Sequence, residues 1–344
     1  MKHILPSREI PMLVEAREKK RGFVPILEVL IFLAVFTAAS TVQAIPTYIV
    51  MTGQLLSDRA FLGSVGALLQ EGRFTEYLSA VMELALQFLN NLPVWIRVLN
   101  LVLTVITTVV CILFCRILQK RSLSSMGLNR KHILPEYLKG AAFGILMITA
   151  TVLLSLLFGA VRLSFSGFRI GYVLLFLIGY MIQGMSEEVL CRGYLMVSIT
   201  RRNQVWRAVL VSSLVFALLH IMNPGFGILP FINILLTGAV FGVYALKRGD
   251  LWGACAMHSF WNFFQGHIFG ISVSGTGAND GVSILNASTQ PTSALLTGGT
   301  FGIEGSVSCT IVMIVSLLLV LFVMKPVETG AAPHAAEADR TEQA

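Results

Sequence analysis

What most limits the fold of this chain is a succession of apolar runs, each about as long as a membrane is thick. A helix needs roughly 20 apolar residues to cross about 30 Å of hydrocarbon. Eight such runs lie near 24–45, 94–115, 140–161, 171–197, 207–222, 228–246, 251–269 and 306–324. The fifth is short, and Asn223-Pro224-Gly225 ends it, because proline cannot continue a helix. Composition agrees: 55% of residues are hydrophobic and only 12% charged, far from the balance of a soluble domain. The expectation is an all-α, polytopic membrane protein of about eight transmembrane helices around an intramembrane cavity. The stretch 55–91 is periodic but interrupted by Asp58, Arg59, Glu71, Arg73, Glu76 and Glu83, and reads as an amphipathic helix pair on the membrane surface.

The net charge of +7 raises the question of nucleic acid, but the cations form short clusters between apolar runs and make no continuous basic face. They read as topology signals toward the lipid bilayer, and no nucleic-acid partner is expected. With a cytoplasmic N-terminus and eight alternating spans, the inner segments carry six (1–22), six (116–139), four (192–207), two (247–248) and two (325–344) of the 25 Lys and Arg. Only Arg59, Arg73, Arg97, Arg162 and Arg169 fall outside. The chain is therefore expected as a multi-pass protein of the cell membrane with both termini in the cytoplasm. The first run is too long for a signal-peptide core and lacks a small-x-small cleavage site, so it reads as a retained span. The segment 270–305 is rich in Gly, Ser and Thr without Lys or Arg, and reads as external and flexible; 326–344 reads as a disordered tail. Five scattered cysteines (Cys111, Cys115, Cys191, Cys255, Cys309) imply neither a disulfide framework nor a zinc motif.

Ionisable side chains in the middle of a bilayer cost on the order of 2.5–3.5 kcal/mol each, so every one needs a partner or a purpose. In Ser186-Glu187-Glu188-Val189-Leu190-Cys191-Arg192, Glu188 and Arg192 are spaced by four on one helical face and can pair. Glu187, rotated by about 100°, is left without a partner among these neighbours. His220 closes the fifth run, and His258 and Asn262 share a face of the seventh. At about 1.5 Å per residue from the nearest cytoplasmic cation, Glu187, His220, His258 and Asn262 all lie roughly 15–21 Å deep. A lone buried histidine is more often a hydrogen-bonded core residue, and a Glu-Arg pair is often a helix clamp. A second carboxylate beside the first adds repulsion and desolvation that folding does not explain.

These strings resemble the CAAX prenyl protease and bacteriocin-processing (CPBP, or Abi) family of intramembrane glutamate proteases. The matching elements are E-E-x-x-x-R at Glu187, Glu188 and Arg192, F-x-x-x-H at Phe216 and His220, and H-x-x-x-N at His258 and Asn262. Phe241-Gly242 and Lys247-Arg248-Gly249-Asp250-Leu251-Trp252 look like the family's approach to its last motif. The likeness covers about 135–265, and the first three spans match only in character. With the apolar runs and charges, the resemblance leads to an expected division into a cytoplasmic segment (1–22), N-terminal spans with the external amphipathic segment (23–134), a protease-like core that the resemblance implies (135–270), an external loop with the last span (271–325) and the tail (326–344).

The resemblance implies an endopeptidase acting on a membrane-associated peptide or protein near its terminus. Glu187 is then the base that activates water, His220 helps to hold that water, His258 and Asn262 receive the oxyanion, and Glu188 and Arg192 orient the helix. Such chemistry suits a carboxylate in a low-dielectric site that can accept a proton and return it, with donors aimed at the developing oxyanion. Two histidines and a glutamate also form a conceivable zinc set, but without H-E-x-x-H the expectation is a site with no cofactor. The only aspartates, Asp58, Asp250, Asp280 and Asp339, lie outside the spans, which excludes an aspartyl dyad. Ser186 lacks a G-x-S-x-G context. A proton-coupled transporter predicts broken helices and inverted repeats not visible here, and a non-catalytic immunity or scaffold protein has no need of the four-residue set. The charge count places the cytoplasm nearest the Glu187 helix end, so the substrate is expected from that side.

Overall fold

The computed structural model describes residues 10–18, 22–90, 92–201, 204–277, 281–290 and 293–326, so nearly all of the expected disordered tail lies outside the described residues. The protein is a bundle of apolar helices. Short α1 (Pro11–Glu18) precedes α2 (Pro25–Ser57), which starts on a proline well suited to a first helical turn. This first span runs twelve residues past the expected end at 45, because Tyr48 to Leu56 stay largely apolar despite Pro46 inside the helix. It stops at Asp58, whose carboxylate accepts from Phe61 N at 2.9 Å and caps α3 (Arg59–Gln70). α3 packs on α4 (Phe74–Asn90), giving the helix pair expected in this stretch.

The bundle continues through α5 (Val94–Leu103), α6 (Val105–Ile117), α7 (Ile133–Leu157), α8 (Ile170–Glu188) and short α9 (Val197–Thr200). It ends with α10 (Val205–Leu218), α11 (Ile228–Arg248), α12 (Trp252–Phe263), short α13 (Ala294–Thr297) and α14 (Val307–Leu318). Five helical stretches are long and apolar enough to cross a membrane: Pro25–Ser57, Val94–Ile117, Ile133–Leu157, Ile170–Thr200 and Ile228–Arg248. α10, α12 and α14 occupy the other three expected runs and are shorter. Leu157, Ile228 and Met222 are 80%, 82% and 88% exposed; an apolar surface of this kind is what a chain solvated by lipid presents.

The two ends of the bundle differ. At one end cations tie helices together: Arg248 Nε donates to Glu136 at 2.6 Å, Lys139 Nζ lies 2.9 Å from the same carboxylate, and Lys247 Nζ donates to the carbonyls of Leu321 and Met324. Buried Glu28 of α2 accepts from Tyr194 Oη at 2.7 Å and from Gln119 nearby. At the opposite end, β1 (Val161–Phe165) pairs antiparallel with β2 (Leu285–Thr289), Leu163 opposite Ala287. This end departs from the flexible loop expected at 270–305. Gly275 N bonds Phe301 O, Ile284 N bonds His267 O, and Ala287 N bonds Phe269 O, so these described residues of the segment satisfy backbone groups by folding across the helix ends.

α12 is held at the centre by small residues on its neighbours. A Cβ on Gly184 of α8 would lie 2.4 Å from Ser259 Oγ, and one on Gly144 of α7 would lie 2.4 Å from Met257 O. Only glycine lets the three backbones approach this closely, as expected where lipid supplies no hydrophobic drive between helices.

Candidate active site

Directly after Glu187 and Glu188, α8 passes into a π-helical segment, Val189–Met196, whose eight residues are all buried. Wider turns of this kind are uncommon and recur at functional sites. They leave Arg192 fully buried with its guanidinium 2.8 Å from Glu188 Oε1. Arg192 also donates to Gly238 O at 3.1 Å and lies over the Phe216 ring at 4.5 Å. The expected Glu188–Arg192 pair is therefore formed, and its burial is offset on three sides by an ion pair, a carbonyl and an aromatic face.

The same Glu188 oxygen has a second partner, His258 Nδ1 at 2.9 Å. The arrangement fixes the imidazole and turns its Nε2 toward Glu187, 3.7 Å from Oε2. Phe216 meets His258 edge-on at 5.8 Å and Phe241 lies at 5.3 Å, so the ring is held by packing as well as by the carboxylate. His220, just past the end of α10, has Nδ1 2.9 Å from Phe216 O. A backbone carbonyl can only accept, so Nδ1 carries the proton and Nε2 is left to meet other groups.

All four expected residues, Glu187, His220, His258 and Asn262, line one cavity of about 170 Å³. Gln183, one turn before Glu187, was not anticipated. It donates to Glu187 Oε1 and accepts from Asn262 Nδ2 at 3.0 Å, bridging carboxylate and amide. The cue lay in its spacing of four from Glu187, but an amide in a long apolar run carries little weight alone. A further carboxylate was also missed: Glu304, in the turn before α14, lines the cavity from the folded 270–305 segment. It accepts from Trp261 Nε1 at 3.3 Å, from Gln265 Nε2 at 3.0 Å and from the backbone N and Oγ of Ser274. Nothing in the glycine-rich sequence around it discloses that convergence.

Apart from residues of the helices α5, α8, α10, α11 and α12, the lining comes from His220, Asn223, Val273, Ser274, Thr276 and Glu304, all at the end carrying β1 and β2. No residue of the linkers at 118–132 or 249–251 contributes. The loops that wall the cavity thus lie at the end opposite the cation-rich linkers, a feature that depth measured along helices does not disclose. Among the described residues, no three His, Cys, Asp or Glu side chains are grouped to hold a metal ion.

The fold and the cavity together define an all-helical membrane protein in which carboxylate, imidazole and amide groups from three helices face one interior space. Residues 169–264, which hold α8 to α12 and every one of these groups except Glu304, match the model of the Rce1-like family, type II CAAX prenyl endopeptidases. Over that segment the chain is similar to the CPBP-type, Rce1-like endopeptidases, as its motifs indicated. No curated protein and no solved structure matches the chain significantly.

Proposed function

We propose that the protein is an intramembrane endopeptidase of the CPBP type, hydrolysing a peptide bond of a membrane-associated substrate by a water that Glu187 activates. The observation that supports this reading is the convergence of Glu187, His220, His258 and Asn262 on one cavity from α8, α10 and α12. Glu187 takes a proton as the water oxygen bonds to the substrate carbonyl carbon; the carbonyl oxygen becomes an oxyanion. The C–N bond then breaks, and the proton passes from Glu187 to the leaving amine. His220 holds the water through Nε2. Asn262 commits one amide hydrogen to Gln183, which leaves the second for the oxyanion, and His258 Nε2 faces the same space. Glu188 and Arg192 keep His258 in register.

The site works without a metal in this reading, and a chelator leaves the rate unchanged. The test is a labelled peptide library incubated with the purified protein in detergent or lipid. Glu187→Gln is expected to lose cleavage by about 100-fold or more while eluting as the parent does, the size typical of removing a general base. Undiminished cleavage by that variant overturns the mechanism. A physiological effect retained in cells by Glu187→Gln points to a scaffold instead.

A further inference from the structure

We infer that the substrate reaches this site from outside the cytoplasm, so that the protease acts on an exported peptide or an external segment of a membrane protein and not on a cytosolic lipidated tail. The inference rests on the endopeptidase reading above for the word substrate; the sidedness stands on its own observations.

The first is the distribution of charge between the two ends of the bundle. The end formed by the linker at 118–132, the start of α7, the end of α9 and the turn between α11 and α12 carries Lys120, Arg121, Arg130, Lys131, Lys139, Arg201, Lys247 and Arg248. The end formed by β1, the turn after α10, the segment 269–305 and the start of α5 carries only Arg97, Arg162 and Arg169 among its described residues. Cations of short loops are retained in the cytoplasm, which places the first end inside and the second outside.

The second is the cavity itself. Its lining outside the helices belongs wholly to the cation-poor end. Thr276 is exposed and at the same time lines the cavity, so surface and site are continuous there. Toward the cation-rich end the cavity meets closed packing: the π-helical segment is buried throughout, and Arg121 below it is 1% exposed, its guanidinium donating to Gly193 O at 2.9 Å and Ser125 O at 2.7 Å. A peptide coming from the cytoplasm would have to displace that buried arginine, whereas one coming from the other side meets Thr276, Ser274 and Asn223. Ser274 and Asn223 are tied by the bond from Asn223 Nδ2 to Ser274 O at 2.7 Å.

Labelling with a membrane-impermeant maleimide tests this in intact cells. All five native cysteines are buried, so an introduced one dominates the signal. Thr276→Cys reports the cavity mouth, Met222→Cys, at a residue 88% exposed, reports the same end away from the cavity, and Ser124→Cys reports the cation-rich end. The expected result is that the first two react without permeabilisation, that Ser124→Cys reacts only after it, and that a bulky label on Thr276→Cys blocks cleavage of a peptide supplied outside. Labelling of Ser124→Cys from outside, or of Met222→Cys only after permeabilisation, overturns the orientation. Reaction of Met222→Cys but not Thr276→Cys from outside overturns the route. External labelling with no peptide cleaved by the parent protein leaves sidedness intact and sinks the protease reading instead, so the two failures are distinct.

Discussion

Glu188 illustrates how a residue legible as structure turns out to carry more. Spacing alone reads it as the partner of Arg192, and the two do pair in full burial. The same oxygen also takes the Nδ1 of His258, a contact between α8 and α12 that no local pattern discloses. Removing one partner of a buried ion pair costs about 3–5 kcal/mol, because the other charge stays behind in a dry site. Glu188→Leu is therefore expected to lower the thermal midpoint sharply in detergent. Pairing it with Arg192→Met removes both charges and is expected to restore most of the midpoint. Turnover stays low in the double variant, since His258 has lost the acceptor that orients it. Recovery of both midpoint and turnover would show that the pair is only a clamp. Gln183 and Glu304 mark the opposite case: their importance comes from what other segments bring to them, so neither stood out in the chain.

The helices follow from the sequence almost run by run, because twenty apolar residues in lipid have no alternative but to satisfy their backbone internally. The polar connections are less legible. The segment at 270–305 reads as a flexible loop by composition, yet it pairs a strand with β1 and lays Ser274 and Glu304 against the cavity; long-range backbone pairing leaves no periodic trace. The turn between α11 and α12 carries a pH-sensitive group. Burial pushes the Asp250 carboxyl up to about 6, with the Glu136 charge adding to the effect, while its Oδ1 accepts from Trp252 N at 3.0 Å. The protonated form is the one the fold favours, so its contribution is complete below the ordinary carboxylate range and is lost as pH rises through about 6. Asp250→Asn, uncharged throughout and equally able to accept from Trp252 N, is expected to flatten the fall in thermal midpoint between about pH 4 and about pH 7. Parallel curves for parent and variant would remove Asp250 as the source.

For the molecule as a whole, the strength of the account is that three motifs spread over some 75 residues, each weak alone, face one cavity of about 170 Å³. Their convergence was expected from depth along each helix, and depth was sufficient because all three helices cross the same slab. Depth along a helix does not address which loops wall the cavity. The claim on which everything else depends is that the Glu187 carboxylate and the His220 imidazole share a single water in the cavity that His258 and Asn262 also line. The most direct measurement is an experimental density map of the purified protein in lipid, at a resolution where ordered water is visible. The account predicts a water within hydrogen-bonding distance of both Glu187 Oε2 and His220 Nε2, with Asn262 on the same cavity wall. Density that turns Glu187 and His220 away from each other, with no water in common, would contradict it.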